Sequence, residues 1–278
     1  MNVLFYFIME KTFDKSIFYL FIFAFIVVLF ILNNSAFDDN VPTCNNFVVN
    51  VYLYLALSIC SIAIFSYLIN YVLFGKSRQY YRPLEVYEIL NSIGFPFYIF
   101  SIIMIFVLII LIGLSNGFDN NNVGYNHVIW FLFLFFISVT IYPKLKDITS
   151  YNYVDNALLI TSIIFIVMTY FYYMFSDLFL NNMSSIGMGL IVSLVVIIIV
   201  ELINLLFFKR SQYFLSFFKI TSYLVIILFS VFVSYDTAEM AIREKECTSL
   251  PNYPKFSIDF FMDILNLFSR ILFLRSTK

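Results

Sequence analysis

The chain has 278 residues, 62% hydrophobic and only 12% charged, with a mean hydropathy of +0.94 and a formal net charge of −1. Soluble domains carry about half apolar and about a quarter charged residues, so this is a multi-pass membrane protein, and the charge balance excludes a nucleic-acid footprint. One histidine and three cysteines leave no histidine cage for zinc, no HExxH motif, no Ser-His-Asp set with a spare base and no CxxC metal pair. No enzyme and no cofactor is expected.

A helix needs about 20 apolar residues to cross ~30 Å of hydrocarbon. In chain order, apolar segments at 17–33, 47–74, 95–115, 127–143, 157–180, 186–208, 213–235 and 256–274 meet or approach that length. Backbone polar groups must be satisfied within each segment, and the alternation of a barrel strand is absent, so the segments are helices. The expected fold is an all-α polytopic bundle of seven to eight transmembrane helices, forming one transmembrane domain over 1–278. The first segment slightly exceeds a signal-peptide core and lacks a small-x-small site near Ala36, so it is expected to stay as a span.

Lysine and arginine alternate between loops. Lys11 and Lys15 precede the first span, and the loop at 34–46 has neither type. Lys76, Arg78 and Arg82 follow the second span, Lys144 and Lys146 the fourth, and Lys209 and Arg210 the sixth. Positive charge stays cytosolic, which puts the N-terminus, the even-numbered loops and, after eight crossings, Arg275 and Lys278 in the cytosol. The loop after the seventh span breaks this pattern with Arg243, Lys245 and Lys255. Either its charges pair along a solvated extension of the helix, or the last segment is re-entrant and the loop is cytosolic. The sequons at Asn33 and Asn182 fall in outer loops but close to helix ends. Cys44 and Cys247 lie in loops and Cys60 in a span. The plain expectation is unrelated thiols, with a bridge open to the first two if their loops share a compartment. His127, where a loop enters a helix, reads as an interfacial residue.

Carboxylates within a hydrocarbon core are rare and point to function. Asp177 lies near the outer end of the fifth segment, Glu201 in "IIIVELINLLFF", Asp236 at the end of the seventh and Asp263 in the middle of the eighth. Snorkelling or a hydrogen bond to a neighbouring helix accounts for Asp177 and Glu201. Asp263 is too deep to snorkel, and Asp259 lies one turn earlier on the same face. That face must look at protein or at water, which places the last helix near the bundle centre.

"VFVSYDTAEM" followed by "SIDFFMDILNLFSRILFL" resembles the C-terminal signature of the Bax inhibitor-1 family, also called the transmembrane Bax-inhibitor-motif or lifeguard family. Tyr235, Asp236 and Thr237 match the Tyr-Asp-Thr element that ends the penultimate helix. Asp263, Ile264, Asn266, Leu267 and Phe268 match the last helix. The resemblance is strongest over the C-terminal 65 residues. Asp259 stands where the family has Asn and Phe261 where it has Tyr, and the chain has eight apolar segments against six or seven.

The resemblance implies a pH-sensitive calcium leak in which the aspartates matching Asp236 and Asp263 lie side by side and close the pore. Two carboxylates in contact in low dielectric cannot both ionise cheaply, so the pair keeps one proton as a short hydrogen bond between helices. Calcium takes oxygen ligands in irregular geometry, so the same pair would hold it in transit. The resemblance also implies an arginine after an early span that pairs with the acids, for which Arg78 and Arg82 are the candidates. Its partners are the lipid bilayer and cell-death or calcium-channel membrane proteins, and its place is the endoplasmic reticulum or Golgi.

Three functions compete. The first is a leak that lowers stored calcium and suppresses apoptosis. The second is a non-conducting membrane-interaction protein acting on host or cell-death partners. The third is a secondary transporter using Glu201 and Asp263 as proton carriers, which Gly187 and Gly189 at a helix start do little to support.

Overall fold

The computed structural model describes residues 16–39, 41–74, 93–114, 123–147, 151–208, 213–247 and 251–276. Eight helices account for nearly all of them: α1 (Ser16–Ala36), α2 (Phe47–Phe74), α3 (Phe95–Leu114), α4 (Val123–Asp147), α5 (Tyr151–Met174), α6 (Ser176–Phe208), α7 (Tyr213–Lys245) and α8 (Tyr253–Ser276). Helices α1 to α7 are long and apolar enough to cross a membrane, so the chain is an all-α membrane bundle. A two-stranded antiparallel hairpin, β1 (Phe37–Asp38) and β2 (Val41–Pro42), joins α1 to α2. Its turn carries Asp39 at φ 48°, a left-handed conformation that Asp and Asn tolerate.

The chain divides into two compact units, Met1–Thr149 with Cys247–Ile258 and Ser150–Glu246 with Asp259–Lys278. In the first, α2 packs between α1 and α4, and α3 packs on α4. Asn50, wholly buried on α2, organises the end of this unit. Its Oδ1 accepts from Ser35 Oγ at 2.7 Å, and its Nδ2 donates to Asn45 O at 2.9 Å and reaches the Tyr253 hydroxyl at 3.2 Å. The Tyr253 hydroxyl in turn donates to Thr43 O. One buried amide thereby ties the end of α1, the hairpin loop and the start of α8, with every polar atom matched as burial demands. His127 is not simply interfacial: its Nε2 lies 2.5 Å from the Tyr54 hydroxyl, beside Trp130.

The same unit contains a disulfide between Cys44 and Cys247, with Cα atoms 5.9 Å apart. This corrects the expectation of unrelated thiols. Spacing of 203 residues gives no sequence signal for a pair that only the fold brings together. The bond requires both loops to lie on one side of the membrane, and the six intervening helices α2 to α7, an even number, return the chain to that side. The stretch after the seventh span is indeed a helical extension: α7 runs to Lys245, and Arg243 lies 3.9 Å from Glu239 and 3.7 Å from Glu246.

In the second unit α7 packs on both α5 and α6. The sequence placed a loop at 181–185; the chain instead turns at Phe175 and runs on through "NNMSS" as helix. Asn182 leaves helical geometry (φ −119°, ψ 17°) while its Nδ2 donates to Leu178 O at 3.0 Å. A polar side chain bonding its own helix bends it where a loop was expected. Both sequons consequently lie in helices. Pro143 likewise sits inside α4 and does not end it.

Replacing Cys44, Cys247 or both with Ser should lower the stability of the purified protein by about 2–4 kcal/mol, the range for a disulfide closing a long loop. Thermal unfolding in detergent checks this, and the double variant should be no worse than either single one.

Candidate functional site

The acids converge within the second unit. Val225, Phe229 and Val233 on α7 form a buried layer with Leu267 on α8, and Ile164, Phe165 and Met168 of α5 pack against it with Leu194 and Ile197 of α6. One turn beyond this layer along α8, at i−4 from Leu267, sits Asp263, 4% exposed. Asp236, three residues past Val233, faces it from α7, and the two side chains are hydrogen-bonded to each other. A hydrogen bond between two carboxyl groups requires a proton on one of them. The remaining oxygen, Asp263 Oδ2, is buried without a hydrogen-bond partner among the described residues.

Each of the two elements is held locally. Ser234 Oγ donates to Met168 O at 2.7 Å, tying α7 to α5 beside the pair. Thr237 Oγ1 donates back to Val233 O at 2.6 Å. Phe260 meets Phe165 edge to face at 5.8 Å and fixes α8 against α5. Tyr235 lies flat on α6: a Cβ built at Gly187 would come within 2.6 Å of its hydroxyl oxygen. Glycine at that position lets the phenol ring reach the helix backbone, the close approach that small residues allow in membranes.

Two further acids surround the pair. Asp259 on α8 and Glu239 on α7 both act electrostatically on Asp236, and Asp259 also acts on Asp263. Asp259 is exposed, so the negative field grows from a buried pair toward solvent. Among the described residues no group of three or more His, Cys, Asp or Glu is arranged to hold a metal ion.

Of the other candidates, Asp177 is exposed in the first turn of α6, where the helix N-terminus favours a negative charge. Glu201 is half-buried and bonded to Arg270 of α8. Arg78 and Arg82 lie outside the described residues. Arg270 was not singled out from the sequence, although "LNLFSRILFL" carries a lone cation inside an apolar run; the available signal was that Glu201 is its opposite-charge counterpart. A family model described as inhibitor of apoptosis-promoting Bax1 matches residues 44–276. No curated protein and no solved structure matches the chain.

Substituting Ala for Gly187 should push Tyr235 off α6 and cost about 1–3 kcal/mol, the range for overpacking a tight contact. Adding Tyr235→Phe removes the nearest atom and should recover part of that loss in a thermal-shift assay.

Proposed function

The chain belongs to the Bax inhibitor-1 family, and from that premise we propose that it is a pH-sensitive calcium leak whose pore is closed by the Asp236–Asp263 hydrogen bond. The observation that carries the reading is the meeting of two carboxyl groups from α7 and α8 in a buried layer. With one proton between them they join the helices; with none they are two like charges in contact. At an effective dielectric of about 20, two unit charges 4 Å apart repel by about 4 kcal/mol, well above the ~0.6 kcal/mol of an average interhelical hydrogen bond in a membrane. Losing the proton therefore parts the helices and leaves a bare acid site for a cation.

The sign follows directly. At acidic pH the shared proton is present and the pore is shut; as pH rises the proton is lost and flux increases. Calcium suits the site because it accepts a few carboxylate oxygens in irregular geometry and gives them up readily. Asp259 and Glu239 raise the local cation concentration at the approach. Ion passage needs neither a nucleophile nor a cofactor.

An internal membrane of the secretory pathway, endoplasmic reticulum or Golgi, fits this reading. A disulfide forms on the oxidising side of such a membrane, which supports a reading with the loops at Cys44 and Cys247 in the lumen and, α1 crossing once, the N-terminus in the cytosol. There a leak would lower stored calcium and so suppress apoptosis.

Purified protein in calcium-loaded liposomes should pass calcium several-fold (about 3–10) faster at pH 7.5 than at pH 5.5, because loss of the shared proton removes the bond that closes the pore. Asp236→Asn with Asp263→Asn should abolish that pH dependence. Flux absent at both pH values overturns the leak and leaves the non-conducting interaction protein as the reading.

A further inference from the structure

The buried face of α8 continues past the acid pair. Asp263, Leu267 and Arg270 follow one another at spacings of four and three residues and form a single stripe. Arg270 ends that stripe in a built contact. Its Nη2 donates to Glu201 Oε2 at 2.7 Å and its Nη1 lies 2.7 Å from Glu201 Oε1 as an ion-pair contact, with each side chain 19% exposed. Its guanidinium also lies over the Phe218 ring, 5.0 Å from the centroid, and Phe218 meets Phe273 of α8 edge to face at 4.7 Å. One side chain of α8 thus grips α6 through a carboxylate and α7 through an aromatic face.

Geometry sets this contact apart from a surface ion pair. A planar guanidinium that donates to one carboxylate oxygen, approaches the other and lies over the Phe218 ring fixes direction as well as distance, which lysine could not do. Between the guanidinium and the acid pair lies the apolar layer of Val225, Phe229, Val233 and Leu267. A helix can shift past an apolar layer at little cost, because one methyl contact replaces another; it cannot shift past this half-buried ion pair without breaking it. A slip of one residue moves a helix by about 1.5 Å and turns it by about 100°, enough to take Asp263 out of line with Asp236. The acid pair is itself flanked by Glu239 on α7 and by Asp259 on α8, both of which disfavour further negative charge there. The guanidinium keeps its charge throughout the range over which those carboxyl groups exchange protons.

We propose that Glu201 and Arg270 are positioning residues that set the height and rotation of α8, so that Asp263 arrives opposite Asp236 whatever the protonation state of the acid pair. The functional consequence rests on the leak reading; the geometric one does not.

The test uses the full chain in membranes with Asp236→Cys, Asp263→Cys and Cys60→Ser, the native disulfide kept. Oxidation should cross-link α7 to α8 in this background. Adding Glu201→Gln or Arg270→Gln should slow cross-linking at least tenfold, and the exchange Glu201→Arg with Arg270→Glu should restore it. Unchanged cross-linking in both single variants overturns the proposal. If the single variants do not fold, a folded exchange variant that fails to cross-link overturns it instead. In liposomes carrying the native aspartates, each single variant should pass calcium equally at pH 5.5 and 7.5, while the exchange variant keeps the wild-type ratio. A wild-type ratio in a folded single variant overturns the functional half. Absence of flux in the wild type defeats the leak reading and leaves the cross-linking result standing.

Discussion

Two carboxyl groups in contact beside an apolar layer constrain the helices around them. Lipid tails are as apolar as leucine, so burial of apolar surface does little to hold membrane helices together. Close packing and hydrogen bonds remain, and each interhelical bond contributes about 0.6 kcal/mol on average. The Asp236–Asp263 bond exceeds that while one proton is present, because the alternative is a buried charge or a bare polar group. It reverses sign when the proton goes. No other interhelical contact described in this unit has that property.

The rest of the second unit is arranged to let the pair form. Ser234 holds α7 to Met168 of α5, Gly187 admits Tyr235 to the surface of α6, and Phe260 fixes α8 on Phe165. The helix with the most polar face is also the one with least exposure: among the described residues of α8, Asp259 and Ser276 alone are exposed. Strongly apolar α6, by contrast, turns most of its residues outward. A lipid-embedded bundle inverts the usual order, spending its apolar residues on the solvent it meets and keeping polar ones for its interior.

Much of this was legible in the residues. Runs of about 20 apolar residues located all eight helices, because lipid enforces length and composition together. The acids of the seventh and eighth segments were legible for the same reason, since charge in such a run has few explanations. Three things were not. The turn at Phe175 has no Gly or Pro to mark it, whereas "NNMSS", which looks like a loop, is a bent helix held by Asn182. The bond between Cys44 and Cys247 depends on two loops meeting after six helices. Arg270 sits in a run as apolar as its neighbours, and its meaning appears only with Glu201 beside it. Each is a long-range pairing or a local override, which composition and period do not encode.

The three fastenings along or next to α8 differ in chemistry, and that difference has consequences. Cys247 ends the segment before it in a covalent bond, Asp263 holds by a shared proton, and Arg270 holds by permanent charge. A guanidinium carries its charge without a shared proton, and a disulfide responds to neither proton nor salt. A helix held by three bonds of one kind would release all of them together and lose its register. On the leak reading proposed above, α8 releases Asp263 alone while Arg270 keeps it in line to close again. On that reading, reversible opening follows from mixing fastenings, not from weakening them.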